Sequence, residues 1–309
     1  VRARTNGEIR STLPRLGHEV TRPSYQGFDP AGRAFFLAES NGSHTHAWPV
    51  VGNYPSELFA KSRIEGCPDD ILITNEAYGI RTTITIRLVE GASEVAAEIW
   101  DIRLDNLEAR TRTLHAVPYL EWVLNAPAAD RNHTQYNRLF PELSYEPAIN
   151  GVLAWHRLTR RLGILATDRP PDGFLTSRVD FIGRAGSIWS PHCLTKRNDA
   201  PDAFVRPGAS EPCPTFDPIG CLRVTIPLAA HATASLRLLI GCASNQVEAH
   251  NWVHRHLRPV SNRAHETAPT QRLAIGHGSI PPGTPQPYYD LISQGRVLQI
   301  HTPFTPRPF

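Results

Sequence analysis

Histidines offer the most direct chemistry in this 309-residue sequence. His250 and His254 lie four residues apart in a segment with helical periodicity, so both imidazoles would share one helix face, where a metal ion could bridge them. His256 follows closely. No carboxylate or cysteine stands where it would complete the metal shell. We therefore expect exposed histidines on a helix surface, with no metal site and no other cofactor.

A second group of ring-bearing side chains occupies residues 44–48, which read H-T-H-A-W. Glycine and serine precede this segment, and together with the strand-like run before it they predict a loop. Aromatic and polar side chains on a loop, here His46 and Trp48, can line a sugar-binding cleft. The same residues could equally cap the end of a sandwich, and the sequence leaves both interpretations open.

A further histidine, His133, lies in the segment N-H-T-Q-Y-N at residues 132–137. This segment resembles the N-H-T-Y-F-N element that carries a catalytic histidine in aldose 1-epimerases. Such chemistry needs His133 and a carboxylate across a pocket, because ring opening of a sugar moves one proton off the anomeric hydroxyl and another onto the ring oxygen. The Leu-His-Gly-Gly stretch of that family is absent.

Paired carboxylates for glycoside cleavage are harder to find. Asp69 and Asp70 follow a proline in a predicted turn, and Glu94 and Glu98 lie near the predicted edge of a strand. For all four we expect a solvated surface position. The sequence also lacks G-x-S-x-G, H-E-x-x-H, G-x-x-x-x-G-K and G-x-G-x-x-G, which removes several common enzyme classes.

The elements that would position these residues are strands. Residues 99–124 contain two alternating apolar runs around a short polar turn, which predicts two paired, half-buried strands. Turns rather than crossover helices separate the runs, which favours an all-β antiparallel sandwich. One short C-terminal helix is predicted, capped by Ser244 or Asn245 and stopped by Pro259. Strands are predicted at 33–38, 71–74, 81–89, 95–104, 113–124, 152–157, 162–167, 222–228 and 235–241.

Composition excludes some classes of partner and divides the sequence into two parts. A net charge of +3 with scattered arginines gives no basic stripe for nucleic acid, and no apolar run is long enough for a membrane span. Five cysteines at irregular spacing predict reduced thiols and a cytoplasmic location. We expect one domain at 1–258, followed at 259–309 by a proline- and glycine-rich linker and the start of a further module, in a piece cut from a longer polypeptide.

A series of short phrases in fixed order carries a family resemblance. The phrases are G-R-A-F-F-L at 32–37, N-G at 41–42, A-W-P-V at 47–50, Y-G-I-R-T at 78–82, the runs 99–104 and 119–124 with Asn106, D-F-I-G-R-A-G-S at 180–187, Pro191, Leu194, D-P at 217–218 and the strand 236–241. Through these phrases the chain resembles the N-terminal β supersandwich of the glycoside hydrolase family 94 sugar phosphorylases (cellobiose and chitobiose phosphorylases) and of cyclic β-1,2-glucan synthases. The end of the chain, G-R-V-L-Q-I at 295–300 followed by T-P and P-R-P, resembles the opening of a further unit of that family.

The resemblance implies a galactose mutarotase-like supersandwich that serves as an accessory domain of a phosphorylase or β-glucan transglycosylase. It would pack on an (α/α)6 catalytic barrel of the same polypeptide, line a cleft for a β-glucan oligosaccharide and contribute to a homodimer contact. His46, Trp48 and Arg184 are the expected cleft residues, with no catalytic residue in this segment, while Glu121 and Trp122 are expected to be structural. Two alternatives stay open: an aldose 1-epimerase-like enzyme using His133, and a free-standing glycan-binding module.

Overall fold

Alternating apolar residues fold most of this chain into strands. The computed structural model describes residues 1–4, 7–13, 15–26, 30–41, 44–52, 62–66, 70–89, 95–184, 186–195, 202–208, 212–213, 215–257, 273–275, 290–294 and 297–301. The strands are β1 (Arg2–Arg4), β2 (Ile9–Arg10), β3 (Thr12–Leu13), β4 (His18–Thr21), β5 (Arg33–Asn41), β6 (His44–Val51), β7 (Ser62–Gly66), β8 (Asp70–Ala77), β9 (Ile80–Val89), β10 (Ala96–Asn106), β11 (Arg112–Asn125), β12 (Pro141–Glu146), β13 (Gly151–His156), β14 (Arg161–Thr167), β15 (Gly173–Ser177), β16 (Pro212–Cys213), β17 (Pro218–Leu228), β18 (Thr233–Ala243), β19 (Leu273–Ile275), β20 (Asp290–Gln294) and β21 (Val297–His301).

Two large antiparallel sheets face each other, which confirms the predicted all-β supersandwich. The first has ten strands in the order β16-β12-β13-β14-β18-β10-β9-β8-β7-β19. The second has seven strands, in the order β15-β17-β11-β4-β3 with β5 joining β11 to β6. A small sheet of order β2-β1-β20-β21 completes the described strands. Each strand predicted from the sequence lies within, or overlaps, one of these strands.

The pairing predicted inside residues 99–124 is wrong. Both strands form, but β10 pairs with β9 and β18, whereas β11 pairs with β17, β5 and β4. The polar turn between them therefore carries the chain from one large sheet to the other. Alternation identifies the buried face of a strand and says nothing about which neighbour it pairs with. β11 is also buried on both faces rather than half-buried.

Three apolar layers hold the sheets. The inner core lies between the two large sheets and includes Phe35, Leu37, Trp48, Ile102, Leu104, Leu120, Trp122 and Ile240. The outer core lies on the opposite face of the seven-stranded sheet and includes Phe36, Val117, Tyr119, Phe181, Ile182, Cys193 and Leu194. The helix core lies on the opposite face of the ten-stranded sheet and includes Leu153, Leu162, Ile164, Leu239, Ala249, Trp252 and Val253.

The predicted C-terminal helix forms at Gln246–His256. Asn245 caps it, since its Oδ1 accepts a hydrogen bond of 2.9 Å from the backbone N–H of Glu248. The helix covers the outer face of the ten-stranded sheet. Four shorter helices escaped prediction because they are too short for helical periodicity to show. In chain order the helices are α1 (Pro127–Asn132), α2 (Thr134–Asn137), α3 (Arg178–Ile182), α4 (His192–Thr195) and α5 (Gln246–His256).

Three strands come from the segment predicted as linker and further module. β19 pairs with β7 at the edge of the ten-stranded sheet, β20 pairs with β1, and β21 pairs with β20. The other residues of that segment lie outside the described part of the chain, and the boundary after residue 258 stays a prediction. Within the described residues, none of the helices is both long enough and apolar enough to cross a membrane.

Close packing around Trp122 gives a first testable prediction. An ideal Cβ at Gly163 would lie 2.7 Å from Cε3 of Trp122 and 3.2 Å from Cδ1 of Leu124. Because Trp122 is fully buried and its ring cannot retreat, we expect Gly163→Ala to lower the free energy of unfolding by about 1–3 kcal/mol. Urea denaturation followed by fluorescence measures this loss. Gly208→Ala is the control, since no atom lies within 4 Å of its Cβ, and equal midpoints for both variants would contradict the prediction.

Candidate functional site

The segment that carries His46 and Trp48 is a strand, so the loop predicted there is wrong. Residues of β6 pair with β5, placing Trp48 opposite Leu37 and His46 opposite Glu39. Alternation along β6 then sends Trp48 into the inner core and Ala47 towards the outer core. The serine and glycine before His44 suggested a loop, but His44–Val51 is a strand.

His46 and Trp48 meet a third aromatic side chain, Tyr78, and we call these three residues the ring cluster. The ring centroid of Tyr78 lies 4.2 Å from that of His46, edge to face, and 5.2 Å from that of Trp48. The His46 and Trp48 centroids are 5.6 Å apart. Trp48 is only 4% exposed, whereas Tyr78 is 56% exposed and His46 is also exposed. Trp48 therefore supports two rings that face solvent.

The backbone fixes the position of the Tyr78 ring. Tyr78 and Gly79 form the turn between β8 and β9, with φ of +50° and +72°, the left-handed conformation of the tightest hairpin turns. The φ of Gly79 favours glycine, and a Cβ there would meet the side chain of Glu108, which would have to move. The guanidinium of Arg112 donates a hydrogen bond to the Tyr78 carbonyl oxygen. The sequence signal for this turn was the Tyr-Gly pair between two strand-like runs.

Charged side chains beside the ring cluster balance each other. Glu39 accepts hydrogen bonds from Nε of Arg112 at 2.9 Å and from Nη1 of Arg110 at 3.2 Å, and Glu108 accepts one from Nε of Arg110 at 2.7 Å. Burial alone would raise the pKa of Glu39, but the two guanidinium groups outweigh it and hold the pKa below its usual range. An ionised, paired Glu39 is unsuited to act as a general acid, so the arrangement favours binding over bond cleavage.

Arg184 lies apart from the ring cluster. It is exposed and follows α3, whose Phe181 and Ile182 belong to the outer core. His46 and Trp48 extend from the other face of the same sheet, towards the inner core. The structure therefore brings together two of the three residues expected in a cleft, and adds Tyr78, which the sequence did not single out as a site residue.

His133 lies at the junction of α1 and α2 with an exposed side chain. The carboxylate nearest to it in sequence, Asp130, is buried and accepts hydrogen bonds from Arg22 at 2.9 and 3.0 Å and from the Tyr25 hydroxyl at 2.9 Å. Asn137, the last residue of the epimerase-like segment, is buried and donates to the carbonyl oxygen of Val123 at 3.2 Å. The segment at 132–137 thus holds the end of β11 in place through a buried hydrogen bond.

The exposed positions expected for the histidines of α5 hold for one of the three. His254 is exposed, whereas His250 and His256 are half-buried, and His250 lies 4.0 Å from a carboxylate oxygen of Glu146. The part of the chain that the structure describes contains no group of three or more His, Cys, Asp or Glu side chains that could hold a metal ion.

The surface position predicted for Glu98 is wrong. Glu98 is 3% exposed and extends from β10 into the inner core, where both of its oxygens accept hydrogen bonds from Arg33 of β5, at 3.0 and 2.9 Å. Ser11 and the Trp100 indole also donate to it. Asp70 is half-buried, and Asp69 and Glu94 lie outside the described residues. Glu98 thus links the two large sheets through a buried ion pair with Arg33.

Glu121 is the centre of a second buried ion network, which sequence analysis did not find. It contacts the guanidinium groups of Arg22, Arg138 and Arg178 and accepts a hydrogen bond of 2.7 Å from the Tyr119 hydroxyl. Burial alone would raise the pKa of Glu121, but the three cations lower it to about 2. Glu121 and Trp122 are both buried, in agreement with the structural roles expected for them.

Comparison with known proteins gives two solved structures that resemble parts of this chain. A polysaccharide lyase is 9% identical with a TM-score of 0.43, covering 77% of this chain and 30% of the lyase. A protein described as a kojibiose phosphorylase, from the human microbiome, is 8% identical with a TM-score of 0.31, covering 82% of this chain and 28% of the phosphorylase. The chain thus spans less than a third of either protein. No curated protein matches its sequence.

One family describes most of the sequence. The profile of the family named "Glycosyl hydrolase 94, supersandwich domain" matches residues 19–259. The matched segment runs from β4 to the end of α5 and so contains most of both large sheets, the ring cluster and both buried ion networks. This chain therefore belongs to the glycosyl hydrolase 94 supersandwich domain family.

Proposed function

We propose that the chain is an accessory domain of a carbohydrate-active enzyme of the sugar phosphorylase or β-glucan transglycosylase type, the type that includes cyclic β-1,2-glucan synthases. The family match over residues 19–259 is the observation that carries this proposal. In this role the domain packs on an (α/α)6 catalytic barrel of the same polypeptide and forms one wall of its substrate cleft. The end of the match, one residue beyond the predicted boundary, supports a domain that closes after α5.

The ring cluster is the proposed cleft wall. Tyr78 and His46 present ring faces and edges to solvent above a buried Trp48. Sugar rings have an apolar C–H face that packs on aromatic side chains, with hydroxyl groups around it that need hydrogen bonds. The neighbouring Glu39, Glu108, Arg110 and Arg112 supply polar atoms, and their two negative and two positive charges offset one another. These features suit an uncharged β-glucan oligosaccharide.

Arg184 stays a separate proposed contact, because it belongs to the outer layer. A homodimer contact and a cytoplasmic location are also part of the proposal. The dimer contact rests on the resemblance alone. The location is supported by free thiols at Cys221 and Cys242 among the described residues.

Removing the Tyr78 ring tests the proposed cleft wall. We expect Tyr78→Ala to weaken binding of β-1,2- or β-1,4-gluco-oligosaccharides by about fivefold, because one stacking partner is lost. Isothermal calorimetry on the 309-residue chain measures the affinity. Tyr136→Ala is the matched control, since Tyr136 is equally exposed but lies on α2. Flat titrations at millimolar oligosaccharide, or equal affinities for the two variants, would count against the proposal.

A glucose mutarotation assay on the same preparations separates this function from an epimerase. We expect no enzyme-dependent turnover that requires His133. Turnover by the unmodified chain that disappears in His133→Ala would overturn the accessory function.

A further inference from the structure

A pocket of about 310 Å³ opens on the outer face of the ten-stranded sheet, beside the start of α5. Strand register builds its floor: Glu142, Trp155 and Leu162 lie side by side across β12, β13 and β14, and Ser144 lies opposite Leu153 in the next row. Side chains of adjacent strands on one face are close enough to form a continuous surface. The pocket volume is at the lower end of the range for small-molecule sites.

Unused hydrogen-bonding groups surround this floor. The Trp155 indole N–H and the Ser144 hydroxyl form no hydrogen bond with the described residues. The Oδ1 atom of Asn245 caps α5, which leaves the amide N–H groups of this side chain available to a ligand. Gln246 donates from Nε2 to Glu146 at 3.1 Å, which leaves its carbonyl oxygen available. Donors and acceptors on one side therefore face an indole ring and buried leucines on the other.

The charge of the pocket excludes an anionic ligand. Its carboxylate, Glu142, pairs with Nε of Arg157 at 3.2 Å, and both side chains are more than half exposed. The remaining lining residues are uncharged, so the pocket has no cationic centre for a phosphate. An apolar peptide would leave the serine, amide and indole groups without partners, which is unfavourable. A neutral molecule with one apolar face and several hydroxyl groups satisfies both sides.

We propose that this pocket, the Trp155 pocket, is a second carbohydrate-binding site that takes a neutral pyranose unit of a glucan chain. The pyranose C–H face lies on the Trp155 indole, and its hydroxyl groups bond to Ser144, Asn245 and Gln246. The Trp155 pocket lies on the outer face of the ten-stranded sheet, whereas the buried base of the ring cluster, Trp48, lies in the inner core between the sheets. It would hold a polymeric substrate away from the cleft.

Hydrogen exchange with cellotetraose as the probe tests this site. In the 309-residue chain, we expect millimolar cellotetraose to slow amide exchange in β12 and β13 and around Asn245. Trp155→Ala should abolish that local protection and raise the dissociation constant at this site by about tenfold, as truncation of a central aromatic contact does. Gln246→Ala, an exposed helix residue, should weaken binding by about threefold without affecting folding.

Controls separate this proposal from the proposed function. Trp189→Ala removes a partly buried indole of the outer core and should leave protection of the Trp155 pocket unchanged. Tyr78→Ala should affect only the ring cluster, so either site can fail alone. Absence of protection in β12 and β13 with the unmodified chain, or unchanged protection in both Trp155→Ala and Gln246→Ala, would overturn the proposal. Protection by inorganic phosphate instead of cellotetraose would overturn it as well.

Discussion

Replacing Glu121 with glutamine is expected to lower the free energy of unfolding by about 3–5 kcal/mol, the loss typical of removing one partner from a buried ion pair. Glutamine keeps the size of the side chain, so the change leaves no cavity. It removes the only charge that Arg22, Arg138 and Arg178 share among the described residues. Arg22 then depends on Asp130, while Arg138 and Arg178 depend on Asp217. Three guanidinium groups would face two carboxylates.

Chemical denaturation measures this loss. We expect the urea midpoint of Glu121→Gln to fall with an unchanged slope, since the surface exposed on unfolding stays the same. Glu76→Gln is the matched control: Glu76 pairs with Arg81 at 3.1 Å, but both side chains are nearly half exposed. Exposed pairs contribute little, so this control should change stability by less than about 1 kcal/mol. Similar losses of stability in both variants would show that the Glu121 network contributes no more than an exposed ion pair.

The same network makes stability depend on pH. The pKa of Glu121 is about 2 in the folded protein, below its ordinary value of 4.5. A lowered folded-state pKa contributes stability that is complete above pH 4.5 and is lost as the pH falls towards 2. The difference between the unmodified chain and Glu121→Gln should therefore narrow by about 2 kcal/mol between pH 7 and pH 3. A constant difference over this range would contradict the assignment of the charge to Glu121.

Strand positions could be predicted because the alternation of apolar residues is local. The run at 81–89 and strand β9 nearly coincide, and the capped helix after Asn245 begins where its cap predicts. Pairing is not local: β10 and β11 adjoin in sequence, yet each finds partners elsewhere in the chain. β6 was missed because Gly42 and Ser43, which precede His44, favour a loop, although the pairing of β6 with β5 overrides that preference.

The candidate site was predictable only in part, for a related reason. His46 and Trp48 stood out by residue type, and the structure places them together. Tyr78 joined them only through the turn that brings β8 against β9. The buried ion pairs connect distant positions: Arg22 and Glu121 are 99 residues apart, and Arg33 and Glu98 are 65 apart. No spacing rule relates such residues, so Glu98 looked like an ordinary surface carboxylate.

The buried ion pair between Glu98 and Arg33 gives the second prediction of a large effect on stability. We expect Glu98→Gln to lower the free energy of unfolding by about 3–5 kcal/mol, because it leaves the guanidinium of Arg33 buried without a counter-charge. Arg33 is 1% exposed, so water cannot replace the lost partner. Burial alone would raise the pKa of Glu98, but Arg33 and the donors Ser11 and Trp100 hold it below its usual range. Glu98 is therefore charged at neutral pH.

A double variant shows whether the stability comes from the charge pair or only from the absence of an unpaired charge. Arg33→Met with Glu98→Gln removes both charges, keeps the apolar volume of the arginine side chain and leaves an amide oxygen to accept from the Trp100 indole, which donates at 2.9 Å in the unmodified chain. Replacing a whole buried ion pair is often neutral, so we expect the double variant to recover most of the loss. The coupling energy in the mutant cycle should then be at least as large as the loss recovered. If the double variant is as unstable as the sum of the single variants, the two residues do not interact across the inner core. Full recovery would show that the Glu98–Arg33 pair adds no net stability.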